Sequence, residues 1–331
     1  MFAAFIRDNT SMTNFDLHFH SNASDGAADL SALRAALVAR PDLAACALAD
    51  HDTLVASVEL ATLEPRAIVA VELTVTHRHS APHLLGYGVD PANDELKDYL
   101  SARQLERRVR FEAWAARFEA LGLRFEPDPA AAVSESFGKP HIVAELRRHR
   151  ENAALLPPVP EDETASDPIY TVYLKIGGRA DISKLVPSTL CSVAQGIELV
   201  HRAGGMAILA HPQVSFYELG QKRLGVDWRL GVPKAEADLR AFALAGLDGV
   251  EVFNHRQGAE FRAALLTTAE ELGLLVSAGT DDHTATGEHI GEAFADESGP
   301  IIEPRATRWL DELRARLTAR RSWVKVSGVR L

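Results

Sequence analysis

The chain has 331 residues, of which 47% are hydrophobic and 24% are charged, as is typical of a globular protein with a sizeable core. Its 35 basic residues against 46 acidic ones give a formal charge of −11. This balance argues against a nonspecific nucleic-acid coat or a binder of anionic membranes, both of which normally carry net positive charge.

Seven short apolar runs that end in polar residues predict β-strands. In chain order they are FDLHFH (15–20), ACALADHD (45–52), AIVAVELTV (67–75), HLLGYGVD (83–90), GMAILAHP (205–212), DGVEVFNH (248–255) and LLVSAGTDDH (274–283). Most follow stretches rich in Ala, Leu and Arg, which indicates parallel βα units. We therefore predict a barrel-like α/β fold. An open doubly wound sheet is the main alternative, but the sequence lacks the Gly-rich phosphate turn that usually marks one.

The stretch from about residue 92 to 187 departs from this alternation. It begins with a charged, helix-like segment and continues through the Pro-rich run ENAALLPPVPEDETASDP. Apolar residues at helical spacing, Leu105, Val109, Trp114 and Phe118, favour a packed subdomain over a long linker. We predict a barrel of residues 14–91 and 188–331, capped by an inserted, mainly helical subdomain of residues 92–187.

The cysteine content and the apolar segments bear on the compartment. Cys46 and Cys191 are the only cysteines, and two isolated cysteines indicate neither a disulfide framework nor a zinc–thiolate site. The N-terminal run is too short for a signal peptide, and no run reaches the roughly 18 apolar residues of a membrane span. We expect a cytoplasmic protein.

Histidine and acidic residues concentrate at the ends of the predicted strands, where α/β barrels build their active sites. These residues are His18, His20, Asp50, His51, Asp52, Glu72, His83, His211, Asp281 and His283. His18 and His20 share one face of a strand, because successive side chains alternate. So many titratable groups on one rim would repel one another, and divalent cations relieve this by binding imidazole and carboxylate together. The sequence therefore predicts a metal centre.

Three histidines outside these strand ends serve as controls. His77 and His79 form a second HxH pair in a polar stretch, and a solvated hairpin is the favoured interpretation there. His201 precedes a strand from the helical side and is expected to be a buried structural residue.

The motifs resemble the PHP (polymerase and histidinol phosphatase) domain phosphoesterases. DLHFHSNASDG, ALADHDT, VAVELT, HLLGYGVD, GKPHIVAEL, HRAGGMAILAHP and SAGTDDH occur in that family's order. The insertion after HLLGYGVD is most similar to the TrpH/YciV-like branch, which includes a nucleoside 3′,5′-bisphosphate phosphatase and a 5′→3′ exoribonuclease acting on short RNA. The resemblance implies a distorted (β/α)7 barrel with a trinuclear metal centre.

The resemblance also implies roles for individual residues. His18, His20, Glu72 and Asp281 would hold a first metal; Glu72, His83 and His211 a second; and Asp25, His51 and His283 a third. Glu72, Asp281 and His283 would be catalytic. Lys139 and His141 of GKPHI, and Arg179 of IGGRAD, would contact phosphate, with Lys139 standing where the family motif usually carries Arg. Two or three divalent ions are expected, with Mn²⁺, Fe²⁺ or Zn²⁺ as candidates.

The implied reaction is hydrolysis of a phosphate monoester by a hydroxide held between metals. The leading substrate is the 3′-phosphate of nucleoside 3′,5′-bisphosphates (pAp to AMP). A 5′→3′ exoribonuclease on short oligonucleotides is the alternative within this chemistry, and an amidohydrolase that splits C–N bonds is the alternative from another class. The expected partner is a small phosphorylated molecule rather than a membrane. The oligomeric state stays open.

Overall fold

The computed structural model describes residues 13–78, 80–127, 139–159, 167–213, 232–254, 257–296 and 299–326. Its strands are β1 (Asn14–Phe19), β2 (Leu43–Leu48), β3 (Ala70–Thr74), β4 (His83–Tyr87), β5 (Met206–Leu209), β6 (Gly249–Phe253), β7 (Leu275–Ala278), β8 (Ala295–Asp296) and β9 (Gly299–Pro300). The first seven coincide with the runs that predicted strands.

Helices alternate with these strands. They are α1 (Leu30–Val38), α2 (Val55–Leu63), α3 (Asp94–Ala120), α4 (Lys139–Arg148), α5 (Val193–Arg202), α6 (Val232–Leu244), α7 (Ala259–Leu272) and α8 (Ala306–Val326). A short 3-10 helix spans Arg150–Ala154, and a π-helical turn spans Tyr170–Leu174. No helix in the described ranges is both long enough and apolar enough to cross a membrane.

The strands form separate hydrogen-bonded sheets. β1 and β2 pair in parallel, β3 to β7 form a five-stranded sheet in chain order, and β8 pairs with β9. Single bridges join the first two sheets, His51 to Glu72 at one edge and Phe19 to Asp282 at the other. The mixed α/β class is thus confirmed, while the described strands do not close into a continuously hydrogen-bonded barrel.

Strand β4 runs antiparallel to both of its neighbours, β3 and β5. The prediction of parallel βα units is wrong here, because only residues 75–82 connect β3 to β4, and a parallel crossover needs a dozen or more residues. In this hairpin Thr74, the last residue of β3, lies opposite His83, the first residue of β4. The reversal therefore puts His83 at the edge where the parallel strands end.

A second hydrophobic core is formed by the segment that follows β4 and precedes β5 in the chain, apart from the core around the strands. Trp114 and Phe118 of α3 pack there with Ile142 and Leu146 of α4 and with Tyr173. This core gives the inserted segment packing of its own. The predicted division at residues 92–187 stays a prediction.

The prediction that Leu105 and Val109 lie on the packed apolar face of α3 is wrong. Leu105 and Val109 are 59% and 41% exposed, whereas Trp114 and Phe118 are buried. Arg103 and Glu106 take the inward positions instead, at 5% and 6% exposure. Leu96 and Leu100 pack on the core around the strands, and a buried ionic network takes the inward positions that follow them along α3.

The carboxylate of Asp248 joins three elements at the end of the strands opposite the histidine-rich rim. It accepts the backbone N–H of Ala207 at 2.8 Å and lies 2.7 Å from His201 Nε2. Arg320 of α8 binds its other oxygen and also donates to the carbonyl of Gly205 at 2.9 Å. His201 is therefore structural, as expected, although half-buried rather than buried.

Asp248→Ala is predicted to lower the free energy of unfolding by about 2–3 kcal/mol, because it leaves Arg320 and a buried backbone N–H without their acceptor. Urea denaturation followed by circular dichroism measures this change. Glu95→Ala is the matched control, since it removes a carboxylate from an exposed pair with Arg202, 2.6 Å apart, and should change stability by less than about 1 kcal/mol. Equal effects of the two variants would contradict the assigned role.

Candidate metal centre

The carboxylate of Glu72 lies at the middle of the histidine-rich rim. Glu72 is fully buried on β3. Its Oε1 lies 2.9 Å from Nδ1 of His83 and 3.1 Å from Nε2 of His211. The antiparallel β4 and the end of β5 thus bring two imidazoles to one oxygen of the same carboxylate.

The other oxygen, Oε2, faces three more imidazoles. It lies 3.4 Å from Nε2 of His18, 3.3 Å from Nε2 of His20 and 3.1 Å from Nδ1 of His51. These histidines follow or end β1 and β2. Glu72 therefore presents one oxygen to each of two sets of imidazoles, while its role as a bridge between two cations stays a prediction.

His18 and His20 point the same ring nitrogen at each other. Their Nε2 atoms are 3.1 Å apart, and Oδ1 of Asp281 lies 3.1 Å from Nε2 of His20. Nδ1 of His18 is 3.1 Å from the Glu251 carboxylate and donates its proton there. With Nδ1 protonated, the lone pair of His18 Nε2 faces a second imidazole and two carboxylates. A cation at this point would satisfy all four groups.

Asp25 forms a third cluster with the remaining histidines. Its Oδ1 is 3.2 Å from His283 Nε2 and 3.6 Å from His20 Nδ1, and its Oδ2 is 3.6 Å from His51 Nε2. Nδ1 of His283 donates to the carbonyl of Asp281 at 2.7 Å, so its Nε2 is free to face Asp25.

All nine predicted ligands thus lie on one rim. Groups whose ligand atoms lie within 4.8 Å of one another are His18, His20, Glu72 and Asp281; His20, Asp25 and His283; and His51, Glu72 and His83. The first group coincides with the first predicted set. In the other two groups His51 lies with Glu72 and His83, whereas the prediction placed it with Asp25 and His283. Both arrangements involve His51 because one of its ring nitrogens faces Glu72 and the other faces Asp25. The assignment of ligands to individual ions stays a prediction.

The donors fit a divalent cation on electrostatic grounds. Glu72 Oε2 and His51 Nδ1 are buried and make no hydrogen bond of good geometry with the described residues. Burial lowers the pKa of His20, but the nearby carboxylates of Asp281, Glu72 and Asp25 outweigh it and raise that pKa to about 10. Burial raises the pKa of Glu72, yet the surrounding histidines hold it well below its usual value. The rim therefore stabilises positive charge. A bound Mn²⁺, Fe²⁺ or Zn²⁺ ion would supply that charge, because these ions accept mixed imidazole and carboxylate ligands.

Three candidate residues of the rim have backbones in the left-handed region. The φ angles of Asp52, His211 and Asp281 are 52°, 24° and 55°. Non-glycine residues adopt positive φ at an energetic cost, and such residues cluster at functional sites. Here each of the three residues lies within four residues of the end of a strand, at the rim that carries the candidate ligands.

Glu251 supports the centre and was missed from the sequence. It is fully buried in β6, where one carboxylate oxygen contacts His18 and the other accepts the backbone N–H of His211 at 2.8 Å. The one indication in the sequence was an acidic residue at the centre of the apolar strand GVEVF.

Asp16 and Asp50 hold residues that adjoin candidate ligands. Asp16 accepts the N–H and the hydroxyl of Thr280, and Asp50 accepts those of Ser21.

Asp282 has a local structural role. Its carboxylate accepts the backbone N–H groups of Thr284 at 2.6 Å and His289 at 2.8 Å, while its own carbonyl accepts the N–H of His20. The carboxylate of Asp282 therefore shapes the turn after β7.

The inserted segment reaches the rim through Asp52, the neighbour of His51. Arg107 of α3 donates to Oδ2 of Asp52 at 2.7 Å, and Nε of Arg103 lies 3.6 Å from the same oxygen. Arg103 also binds Glu106 and donates to Thr189 at 3.1 Å. These buried charges fix the long helix against the candidate ligands.

The three predicted phosphate contacts differ in their placement. His141 on α4 is half-buried, and burial lowers its pKa, while Asp25 and His283 are the charged groups that act on it. The side chain of Lys139 lies outside the described residues. Arg179 donates to Tyr173 Oη at 2.9 Å, with its guanidinium 5.1 Å from the ring centroid, so its described contacts lie within the insertion.

His77, one of the histidines used as controls, lies in a different environment from the one predicted. His77 is not solvated as predicted, because its Nε2 lies 3.1 Å from the buried Asp238 and its ring packs edge-on against Phe242. A buried carboxylate on α6 provides the partner that the sequence pattern did not show. His79 and His255 lie outside the described residues.

The chain matches no protein-family model. It is 27% identical to a 3′,5′-nucleoside bisphosphate phosphatase of Chromobacterium violaceum, over 88% of this chain and 95% of that protein. It is 26% identical to the 5′-3′ exoribonuclease Rnm of Salmonella typhimurium, over 85% of this chain and 88% of that protein.

Solved structures share the fold. A C. violaceum protein described as an amidohydrolase, with bound sulfate and no metal, has a TM-score of 0.67 at 27% identity, covering 92% of this chain and 97% of that one. A Bifidobacterium adolescentis protein to which metal-dependent phosphoesterase activity is ascribed has a TM-score of 0.61 at 22% identity, covering 92% and 96%. The resemblance to this phosphoesterase group, inferred from the motifs, is confirmed.

Glu251→Gln is predicted to weaken metal binding about 10- to 100-fold, because the carboxylate that orients His18 loses its charge. Titration of the chelator-treated protein with Mn²⁺, followed by calorimetry, measures the affinity. Glu59→Gln changes an exposed acid on α2 and serves as the control. An unchanged affinity in the Glu251 variant would show that its contact with His18 does not support the centre.

Proposed function

We propose that this chain is a metal-dependent phosphoesterase that acts on small nucleotides, with the 3′-phosphate of nucleoside 3′,5′-bisphosphates as its leading substrate. The observation that carries this proposal is the single buried carboxylate of Glu72 within 3.4 Å of five imidazoles. Both named relatives, a bisphosphate phosphatase and an exoribonuclease, act on phosphate esters of nucleotides.

The fold proposal accompanies the functional one. We propose that β1 to β7 form a distorted (β/α)7 barrel and that residues 92–187 cap its mouth. The bridges His51 to Glu72 and Phe19 to Asp282 support the first part, because they join the two sheets at both edges. The contacts of Arg103 and Arg107 with Asp52 support the second. The cytoplasmic location stays a prediction.

Hydrolysis breaks the bond between phosphorus and the leaving oxygen, while water supplies the new oxygen on phosphorus and one proton reaches the leaving oxygen. Bound divalent cations lower the pKa of water and neutralise phosphoryl charge. The residues of the chain provide the geometry for this. Glu72, Asp281 and Asp25 concentrate negative charge behind the imidazoles, and the stacked rings of His20 and His283, 4.2 Å apart, form one wall.

The reacting phosphate would approach from the side of the insertion. His141 lies on α4, and the charges of Asp25 and His283 act on its pKa, which supports a role for its ring N–H as a donor to a phosphate oxygen. Lys139, two residues earlier in the sequence, would supply a point charge rather than a bidentate fork. We propose both as substrate contacts. Arg179 is proposed only as support, through Tyr173.

The amidohydrolase alternative is less well supported. That class typically bridges its metals with a carboxylated lysine or with a glutamate, so Glu72 alone does not separate the two classes, whereas the order of the motifs VELT, AHP and DDH matches the phosphoesterases better. The description of the C. violaceum structure as an amidohydrolase concerns that protein. Bound sulfate there is the anion that most resembles a phosphate group.

Removal of metal, or of one ligand, is predicted to abolish activity. His20→Ala and Asp281→Asn each delete a donor from the first cluster, and we expect a loss of at least about 10³-fold in kcat/KM, comparable to the loss of a key transition-state donor. Phosphate release measures this loss. His289→Ala alters an exposed histidine and should retain full activity. If chelator-treated protein hydrolysed phosphate esters at the untreated rate, the mechanism would be wrong.

A substrate panel tests the nucleotide assignment. We expect pAp and a short oligoribonucleotide to be hydrolysed with kcat/KM at least about 100-fold above histidinol phosphate, because a site built for a nucleotide discriminates through its polar contacts. Phosphate and mononucleotide release in the presence of Mn²⁺ measure the two reactions. Hydrolysis of simple amides in preference to all three phosphate esters would favour the amidohydrolase alternative.

A further inference from the structure

A groove in the inserted segment lies outside the metal centre. It has a volume of about 610 Å³ and runs between α3 and the segment from Leu174 to Leu190. Arg110 and Trp114 form one wall, and Lys175 and Ile176 form part of the other. Neither the metal centre nor the predicted phosphate contacts use these residues.

The groove combines cationic and flat apolar groups. The guanidinium of Arg110 lies 5.2 Å from the ring centroid of Trp114, and its one ion pair with a described residue is a long contact of 3.5 Å with Glu106. Trp114 is 5% exposed, and its indole N–H has no acceptor among the described residues. Lys175 is exposed, and Ile176 is 81% exposed. Charge beside aromatic and apolar faces is the usual composition of sites for single-stranded nucleic acid.

An acidic residue in the groove is already engaged. Asp181 accepts the backbone N–H of Gly177 at 2.7 Å and that of Ser183 at 2.8 Å, which lowers its pKa to about 2. Its carboxylate therefore shapes the loop that carries Lys175 and Ile176. Arg110 and Lys175 provide the cations that face an entering anion.

The groove lies on the same helical face as the contacts to the rim. Arg103, Arg107, Arg110 and Trp114 are spaced by four, three and four residues, which places them along one side of α3. Arg107 binds Asp52 beside the candidate ligand His51. Trp114 is seven residues further on, about 10 Å along the helix axis. A stripe of arginines thus leads from the metal centre to the groove.

We propose that this groove binds a nucleotide of a short single-stranded RNA that lies beyond the bond cleaved at the metal centre. The inference rests on the proposed function and selects oligoribonucleotides as substrates of the same site. Arg110 and Lys175 bind the phosphate, Ile176 supports the base, and the indole N–H of Trp114 meets an acceptor once Arg110 turns to the phosphate. Because the net charge of −11 disfavours nucleic-acid binding over the surface as a whole, we expect the RNA to contact only this local stripe of arginines.

Binding to the full-length, chelator-treated protein tests the groove without catalysis. The probe is a pentaribonucleotide with a 3′-fluorescein, followed by fluorescence anisotropy. The double variant R110Q/K175Q should bind it about 10-fold more weakly, because two charge-assisted contacts are lost. Trp114→Phe keeps a ring and should weaken binding less. Arg117→Gln removes an exposed charge from the same helix, outside the groove, and should bind like the wild type.

Kinetics with added Mn²⁺ complete the test. R110Q/K175Q should lose activity on the pentaribonucleotide but keep kcat/KM for pAp within about 2-fold, since pAp ends before the groove. Unchanged RNA affinity in the variant, no RNA binding by the wild type, or an equal loss on both substrates would each overturn the proposal. Groove-dependent RNA binding by a protein without phosphoesterase activity would uphold the groove and refute the proposed function.

Discussion

A buried carboxylate among five imidazoles is the constraint that the rest of this structure depends on. Glu72 has no exposed surface, and its two oxygens are divided among histidines from four segments of the chain. An ionised carboxylate in such a place is costly unless positive charge surrounds it. The strands must therefore end together at one point, and each must present a donor there.

Several irregularities of the fold follow from this requirement. The reversed direction of β4 brings His83 to the rim although it begins its strand, and the left-handed backbone of Asp52, His211 and Asp281 turns the chain sharply at the strand ends. Gly279 is needed for the same reason, because a Cβ there would overlap His18 and the carboxylate of Glu251. Side chains, backbone strain and one close backbone approach all serve the placement of charge.

The sequence predicted what local patterns encode. Alternation and apolar runs located β1 to β7, and His18 and His20 were recognisable because a strand puts both on one face. The direction of β4 was not predictable from its own residues, since it depends on the length of the connection to β3. Glu251 was missed because a lone acid in an apolar strand reveals its partner, His18, only when β6 and β1 are brought together. The exposure of Leu105 and Val109 was missed for a similar reason. Arg103 and Glu106 turn inward on α3 because their polar partners, Asp52 and Thr189, lie elsewhere in the chain.

The insertion shares the apolar core of the strands through Leu96 and Leu100, and it is coupled to the metal centre through charge. Its own core holds Trp114 and Phe118, whereas its contact with the rim consists of Arg103 and Arg107 on the buried Asp52. Buried ion pairs contribute little net stability, but they demand one geometry because a displaced charge would lie uncompensated. Asp52 adjoins His51, which faces both Glu72 and Asp25. The position of α3, and with it the groove along that helix, is therefore set by the same electrostatic balance that sets the candidate ligands.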